Sequence, residues 1–262
     1  MSSKSLLEQG AFGKVYKTRV DNQPVAVKKV PLQYYSATFE NETFIGLQIT
    51  NLHHCVTFQR SFIDGEYGYI VMELCKTDMY KICKNADHIF TERQAALMFY
   101  KICVAVLELH SNGVAHLDLK LENILLDEHD DVKLCDFGTA ANFKKKQKIP
   151  RPVQLGTPVY IAPEIERHKF RPDKADVWSL GIILHLLTAR CYPMIDRGHV
   201  TFISESNLTF DFCNNLSKQC RNLIKSLLQF DPEARPSVKA ILRHPWIKTH
   251  TTSFKETQRI YY

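Results

Sequence analysis

The sequence predicts an α+β fold of two lobes, a small β-rich lobe over about residues 1–74 and a larger helical lobe over about 75–262, read as a single domain. Three observations carry this. Through the first third, apolar and β-branched residues alternate with the period of two that a half-buried strand requires. From Thr91 onward the apolar residues recur at helical spacing instead. The length of 262 residues suits one large domain or two small lobes around a cleft.

The elements follow in order. Gly13–Arg19 and Pro24–Val30 read as strands, with Asp21-Asn22 as the turn between them. A helix is expected over Thr38–Ile49. Two further strands are expected over Cys55–Phe62 and Tyr67–Glu73, joined at Asp64-Gly65. Thr91, followed three residues later by Gln94, caps a helix that runs to His110 with Ala95, Phe99, Ile102, Val106 and Leu109 on one face. Helical patterns then cover Lys174–Thr188 and the stretch from Ser217 onward.

Composition narrows the classes. Hydrophobic content of 45% with 24% charged residues is that of a globular domain with a core. The longest candidate apolar run, Gly181-Ile182-Ile183-Leu184, ends at His185, far short of a bilayer span, and Met1-Ser2-Ser3-Lys4-Ser5 lacks the apolar stretch of a signal peptide. Eight scattered cysteines contain no C-x-x-C pair, so reduced thiols in an intracellular protein, cytoplasmic or nuclear, are expected rather than zinc or disulfides. The net charge of +6 permits anionic partners without pointing to nucleic acid.

The chemistry is concentrated in two neighbouring loops. His116-Leu117-Asp118-Leu119-Lys120-Leu121-Glu122-Asn123 and, a short hairpin later, Asp136-Phe137-Gly138 bring together two carboxylates, an ammonium and an amide. Phosphoryl transfer from a Mg-bound nucleotide needs such a set. It asks for positioning, for metal ions against phosphate charge, and for a base to orient the attacking hydroxyl. Upstream stand Leu7-Glu8-Gln9-Gly10-Ala11-Phe12-Gly13-Lys14-Val15 and Val25-Ala26-Val27-Lys28. Downstream stand Gly156-Thr157, Ala162-Pro163-Glu164, Asp176-Val177-Trp178 and Asp231-Pro232-Glu233-Ala234-Arg235.

In these motifs, from about Leu6 to His250, the chain resembles the catalytic domain of eukaryotic-type serine/threonine protein kinases, with the bilobal protein-kinase-like fold. The resemblance implies ATP and Mg²⁺ as cofactors, and protein substrates. It makes Asp118 the residue that orients the substrate hydroxyl, Lys120 the stabiliser of the transferred phosphoryl, and Asn123 and Asp136 the Mg²⁺ ligands. Lys28 would hold the α- and β-phosphates, paired with Glu42 or, as the alternative, Glu40. The nucleotide site would comprise Leu7, Gly10, Gly13, Val15, Ala26, Lys28, Glu42 and Leu125, with Met72 behind the adenine, the backbone of Glu73 and Cys75 on the base, and Asp78 at the ribose. Cys135 would face this pocket as a target for electrophiles, or be buried as a small apolar group. Asp176 would brace the catalytic loop and Arg235 pair with Glu164.

Departures from the family pattern carry information of their own. Glu8 replaces the first of three usual glycines. Leu117 replaces the arginine that normally receives an activation-loop phosphate, and no Ser, Thr or Tyr lies between Thr139 and Thr157. Activity independent of activation-loop phosphorylation is therefore expected. Lys144, Lys145, Lys146, Lys148 and Arg151 in the same loop suggest acidic or pre-phosphorylated substrates, against the alternative of a solvated charged face. Leu186 stands where basic-directed kinases often carry a glutamate, although Glu122 is retained. A pseudokinase scaffold and a small-molecule phosphotransferase are the competing readings. Control by a flanking domain is not expected within this chain, which leaves room for a separate regulatory protein partner.

Overall fold

The structure, a computed structural model, describes residues 5–10, 12–85, 90–150, 156–166, 169–193, 203–204, 208–210, 212 and 216–259. Ala11, Arg151 and Cys213, and the first four residues used in the leader argument, lie outside them.

The N-terminal part is one antiparallel sheet with a helix beneath it. Its strands are β1 (Ser5–Gly10), β2 (Gly13–Val20), β3 (Gln23–Pro31), β4 (Phe58–Asp64) and β5 (Tyr67–Glu73), in the spatial order β1-β2-β3-β5-β4. The β2–β3 turn is Asp21-Asn22, and both residues have positive φ (49° and 63°). A two-residue loop of that kind follows the right-handed twist of the strands, and Asp and Asn tolerate the left-handed region. The sheet places β3, and with it Lys28, at its centre.

Helix α1 (Leu32–Ile49) begins six residues before the expected Thr38, with a break in helical geometry at Tyr35 (φ −134°, ψ 29°). The first turn has no apolar period to announce it, and its N-cap, Pro31, is the last residue of β3 and offers no side-chain cap. Buried Phe39, Ile45 and Ile49 lie under the sheet. The strand expected at Cys55 begins only at Phe58. Cys55 is fully buried and forms a lone parallel bridge to Leu134 of the other lobe. An isolated apolar stretch has the same period whether it pairs in a sheet or plugs a core.

After β6 (Thr77–Asp78) and α2 (Met79–Asn85), helix α3 (Glu92–Ser111) opens the helical part. Its capping box is complete: Thr91 Oγ1 accepts the Gln94 N–H, and Gln94 Oε1 accepts the Thr91 N–H. Ala95, Phe99, Ile102, Val106 and Leu109 are all fully buried. Short strands β7 (Val114–Ala115), β8 (Ile124–Leu126) and β9 (Val132–Leu134) frame the catalytic loop. Then come β10 (Ala141–Asn142), β11 (Ile149–Pro150), β12 (Lys169–Phe170) and helix α4 (Pro172–Ala189). Helix α4 is buried on nearly every side, His185 included, so it is a central pillar. Helices α5 (Lys218–Leu227), α6 (Val238–Ile241) and α7 (Pro245–Arg259) complete the part. No helix among the described residues is long and apolar enough to cross a membrane.

Candidate active site

A cavity lies between the sheet and the helical part. All twelve residues expected at the nucleotide line it: Leu7, Gly10, Gly13, Val15, Ala26 and Lys28 from the sheet side, and Glu42, Met72, Glu73, Cys75, Asp78 and Leu125 around the back and hinge. Asn123, Cys135 and Asp136 line it as well.

Lys28 is the centre of its charge. Its ammonium donates to Glu42 Oε2 at 2.6 Å and to Asp136 Oδ1 at 2.9 Å. Of the two glutamates weighed in the sequence, Glu42 is the one in contact; it is buried, whereas Glu40 is exposed. One cation between two carboxylates leaves a net negative cluster, buried at Lys28 and Glu42 and partly open at Asp136. Burial alone would lower the Lys28 proton affinity, but Asp136 and Glu42 outweigh it and raise it. Burial would likewise raise Asp136, and the Lys28 ammonium outweighs that and holds it below the usual carboxylate range. Glu42 is the carboxylate that gives way: burial and the Asp136 charge push it up to about 7 against the pull of Lys28.

Asp118 and Lys120 of the catalytic loop do not line this cavity, whereas Asn123 does. Asp118 is buried, its Oδ1 accepting the Thr157 N–H at 2.8 Å and its Oδ2 lying 2.9 Å from Lys120 Nζ. Lys120 also donates to Thr157 Oγ1 at 2.9 Å. Gly156 permits this approach, since a Cβ there would stand 2.7 Å from both Asp118 Oδ1 and the Leu117 carbonyl. Gly13 plays a related part in the nucleotide loop, where a Cβ would run into the Lys29 carbonyl of the paired strand. It makes close strand pairing possible, whereas a Cβ at Gly10 would meet the Gly13 carbonyl oxygen at an unstrained 4.0 Å.

Asn123 donates through Nδ2 to the Asp118 carbonyl (2.8 Å) and to Asp118 Oδ2 (3.1 Å), which turns its Oδ1 away as an acceptor. With Asp136 Oδ2, that oxygen is a donor set suited to a hard cation. Among the described residues no cluster of three or more His, Cys, Asp or Glu could hold a metal by itself. Mg²⁺ needs none, because it takes one or two protein oxygens and completes its shell from phosphates and water.

Two residues of the catalytic motifs are held in the left-handed region, Leu117 (φ 62°) and Asp136 (φ 63°). A bulky residue there costs about 1–3 kcal/mol and persists only when neighbours over-determine it. At Leu117 the fully buried Asp176 supplies that constraint by accepting the N–H groups of His116 (2.9 Å) and Leu117 (2.8 Å) while bonded to His110 Nε2 (2.8 Å). Arg235 grips Glu164 with two parallel bonds of 2.6 and 2.7 Å, both residues almost wholly buried.

Sequence reasoning passed over Asn41. Its Nδ2 donates to the carbonyls of Gly138 (3.0 Å) and Ala140 (2.9 Å), tying α1 to the loop that carries Asp136. One asparagine inside a helix gives no signal of this. Asp78 is occupied locally: it accepts the Lys81 N–H at the start of α2 and pairs with the Lys81 ammonium at 2.8 Å. The Glu73 N–H is taken by the Thr57 carbonyl, so Glu73 can meet a base only as an acceptor. Cys135 lines the cavity half-buried, and burial followed by the Asp136 charge raises its thiol well above the ordinary value. Glu8 lines the cavity mouth, where enclosure of its carboxyl and the Asp78 charge raise its proton affinity.

The protein kinase domain family matches residues 1–247. CBL-interacting serine/threonine-protein kinase 5 of Arabidopsis thaliana is 32% identical over 265 residues, covering 94% of this chain and 58% of that protein. Calcium-dependent protein kinase 7 of Oryza sativa subsp. japonica is 33% identical over 264 residues, covering 92% and 47%. Serine/threonine-protein kinase Nek5 of Mus musculus is 29% identical over 253 residues, covering 93% and 40%. The chain belongs to the protein kinase family, whose members in general use ATP and a divalent metal. It spans about half the length of these relatives.

Proposed function

We propose that residues 1–262 form one catalytic unit that transfers the γ-phosphoryl of ATP to serine and threonine hydroxyls of proteins. The observation that carries this reading is Lys28 bonded at once to Glu42 and Asp136, residues 14 and 108 positions away. That bridge closes the sheet over the helical part and aligns a phosphate-binding ammonium with a metal-binding carboxylate.

Each residue then has a task. Lys28 holds the α- and β-phosphates, oriented by Glu42. Asp136 and Asn123 hold Mg²⁺, which neutralises phosphate charge. Asp118, with one oxygen on the Thr157 N–H, orients the incoming hydroxyl and accepts its proton. Lys120, bonded to Asp118 and Thr157, places positive charge where the transferred phosphoryl passes.

Leu117 and the absence of Ser, Thr and Tyr between Thr139 and Thr157 support activity that needs no activation-loop phosphate. Leu117 is buried and held by Asp176 without any phosphate receptor. The exposed Lys144, Lys145, Lys146 and Lys148 favour acidic or pre-phosphorylated substrates. The described cysteines are free thiols, which suits a reducing compartment, cytoplasmic or nuclear.

The deciding experiment is Mg-ATP phosphate transfer to a generic protein, with Asp118→Ala and Asp136→Asn beside the native chain and phosphoamino-acid analysis of the product. Transfer to serine and threonine that vanishes in both variants is expected. Nucleotide binding without transfer would turn the reading to a scaffold, and transfer to small alcohols alone would turn it to a small-molecule kinase. Phosphatase treatment should leave the rate unchanged; a loss restored by phosphorylation within residues 139–157 would defeat the independence from loop phosphate. A degenerate peptide library that selected arginine upstream of the acceptor would defeat the acidic preference.

A further inference from the structure

A second cavity, of about 400 Å³, shares no lining residue with the one that holds Lys28 and Asp136. Its walls come from four separate stretches: the end of α3, the segment after Asp136-Phe137-Gly138, and the first turns of α4 and of α6. Leu107, Phe143, Val177 and Val238 give it an apolar floor.

The polar groups around that floor are unbalanced. Lys145, Lys174 and Lys239 line it, one from each of the loop, α4 and α6. The one carboxylate in the lining is Asp173, and Arg171 already holds both of its oxygens, at 2.9 and 2.7 Å. Among the described residues neither Lys145 nor Lys239 has an ion-pair partner, and both are exposed. Lys174 is buried, and its acceptor is the Arg235 carbonyl, for a group with three N–H donors. Lys174 is balanced by Asp173 and Glu233, which share the single Arg171, so Lys145 and Lys239 are the two cations that stand beside the hollow without a counter-charge and attract an anion into it. The apolar floor is more than a bare anion would use, so it selects an anion carried on an apolar stem.

The cavity wall is also coupled to the catalytic loop. The Phe143 ring meets the His110 ring edge-on at 5.6 Å, and the Phe143 N–H donates to the Gly113 carbonyl at 2.8 Å. His110 in turn bonds Asp176, the carboxylate that holds His116 and Leu117.

We propose that this cavity binds a phosphate monoester on an apolar stem, as on a phosphorylated side chain of a regulatory protein partner, and thereby fastens the segment around Phe143 and Lys145 to the helical lobe. In this chain the loop has no hydroxyl of its own to phosphorylate, so the anion comes from outside. The inference concerns binding and does not depend on catalysis.

Phenyl phosphate is the probe, titrated calorimetrically into the whole chain without nucleotide or metal. Amide exchange at Phe143 is followed in parallel. Saturable binding that slows exchange at Phe143 is expected. It should weaken at least about tenfold in the double variant Lys145→Ala/Lys239→Ala. It should hold in Lys144→Ala/Lys146→Ala, which removes two charges of the same run that do not line the cavity. Equal weakening in both pairs would reduce the effect to diffuse surface charge, and loss in Lys28→Met alone would assign the binding to the nucleotide pocket; either overturns the proposal, as does no saturable binding. Orthophosphate binding as tightly as phenyl phosphate would overturn the apolar stem and leave a free-anion site. Phenol binding as tightly would overturn the role of the phosphate. A phosphoserine peptide flanked by leucine should compete with phenyl phosphate, and its unphosphorylated form should not.

Discussion

Replacing Glu42 by glutamine separates stability from catalysis in a way that a simple ion-pair picture would not anticipate. Glu42 and Lys28 are 4% and 5% exposed, so solvent screens them little. The Glu42 carboxyl titrates at about 7 in the folded chain against an ordinary 4.5. A carboxyl that holds its proton more tightly when folded stabilises the fold below 4.5, and that contribution is lost as the pH rises through about 7. Each tenfold change in proton affinity is worth about 1.4 kcal/mol, so roughly 3 kcal/mol is withheld from the folded state above pH 7. The glutamine side chain would not ionise, and Lys28 would keep Asp136 at 2.9 Å, so no buried charge would be orphaned. Urea unfolding of Glu42→Gln should therefore match the native chain near pH 4 and exceed it by up to about 3 kcal/mol at pH 8. Phosphate transfer should fall at the same time, since a neutral partner orients Lys28 less firmly. The acid limb of kcat/KM for ATP, which reports the free enzyme, should lie near 7 in the native chain and vanish in the variant. A variant less stable than native by the same margin at both pH values would refute the reasoning, because it would make the ionised pair a net source of stability.

Gly156→Ala should cost kcat about a hundredfold, because the new Cβ would stand 2.7 Å from both Asp118 Oδ1 and the Leu117 carbonyl oxygen and so push the catalytic loop out of place; unchanged kcat would mean that the Gly156 segment yields instead. Arg235→Ala should destabilise the chain by about 3–5 kcal/mol in urea unfolding by stranding the buried Glu164 carboxylate, and a loss under about 1 kcal/mol would show that water reaches it. Glu8→Gln removes a negative charge at the mouth of the nucleotide cavity and should lower KM for ATP about two- to fivefold at low salt, the gain shrinking as salt rises; a higher KM would make Glu8 a nucleotide contact.

The cavity and its lining were legible in the sequence to an unusual depth because kinase motifs are local. Gly10 and Gly13, Val25 to Lys28, Asp118 to Asn123 and Asp136 each sit within a few residues of one turn or strand end, and local chemistry dictates their spacing. The β-hairpins and the capped helix at Thr91 were equally plain, since period and turn residues act over short range. The start of α1 was not, because a first turn without an apolar face carries no period.

Long-range geometry decided the rest. Glu42 and Glu40 are indistinguishable by composition, and only the rotation of α1 under the sheet turns one to Lys28 and the other to solvent. The link from Asn41 to the Asp136 loop, the left-handed Leu117 held by Asp176, and the gathering of Lys145, Lys174 and Lys239 around one hollow all join residues tens of positions apart. By itself the sequence determined which groups this protein can bring to a phosphate. Which of them meet, and which cations are left without a counter-charge, follows from packing, because burial and electrostatic balance are properties of distance in space rather than along the chain.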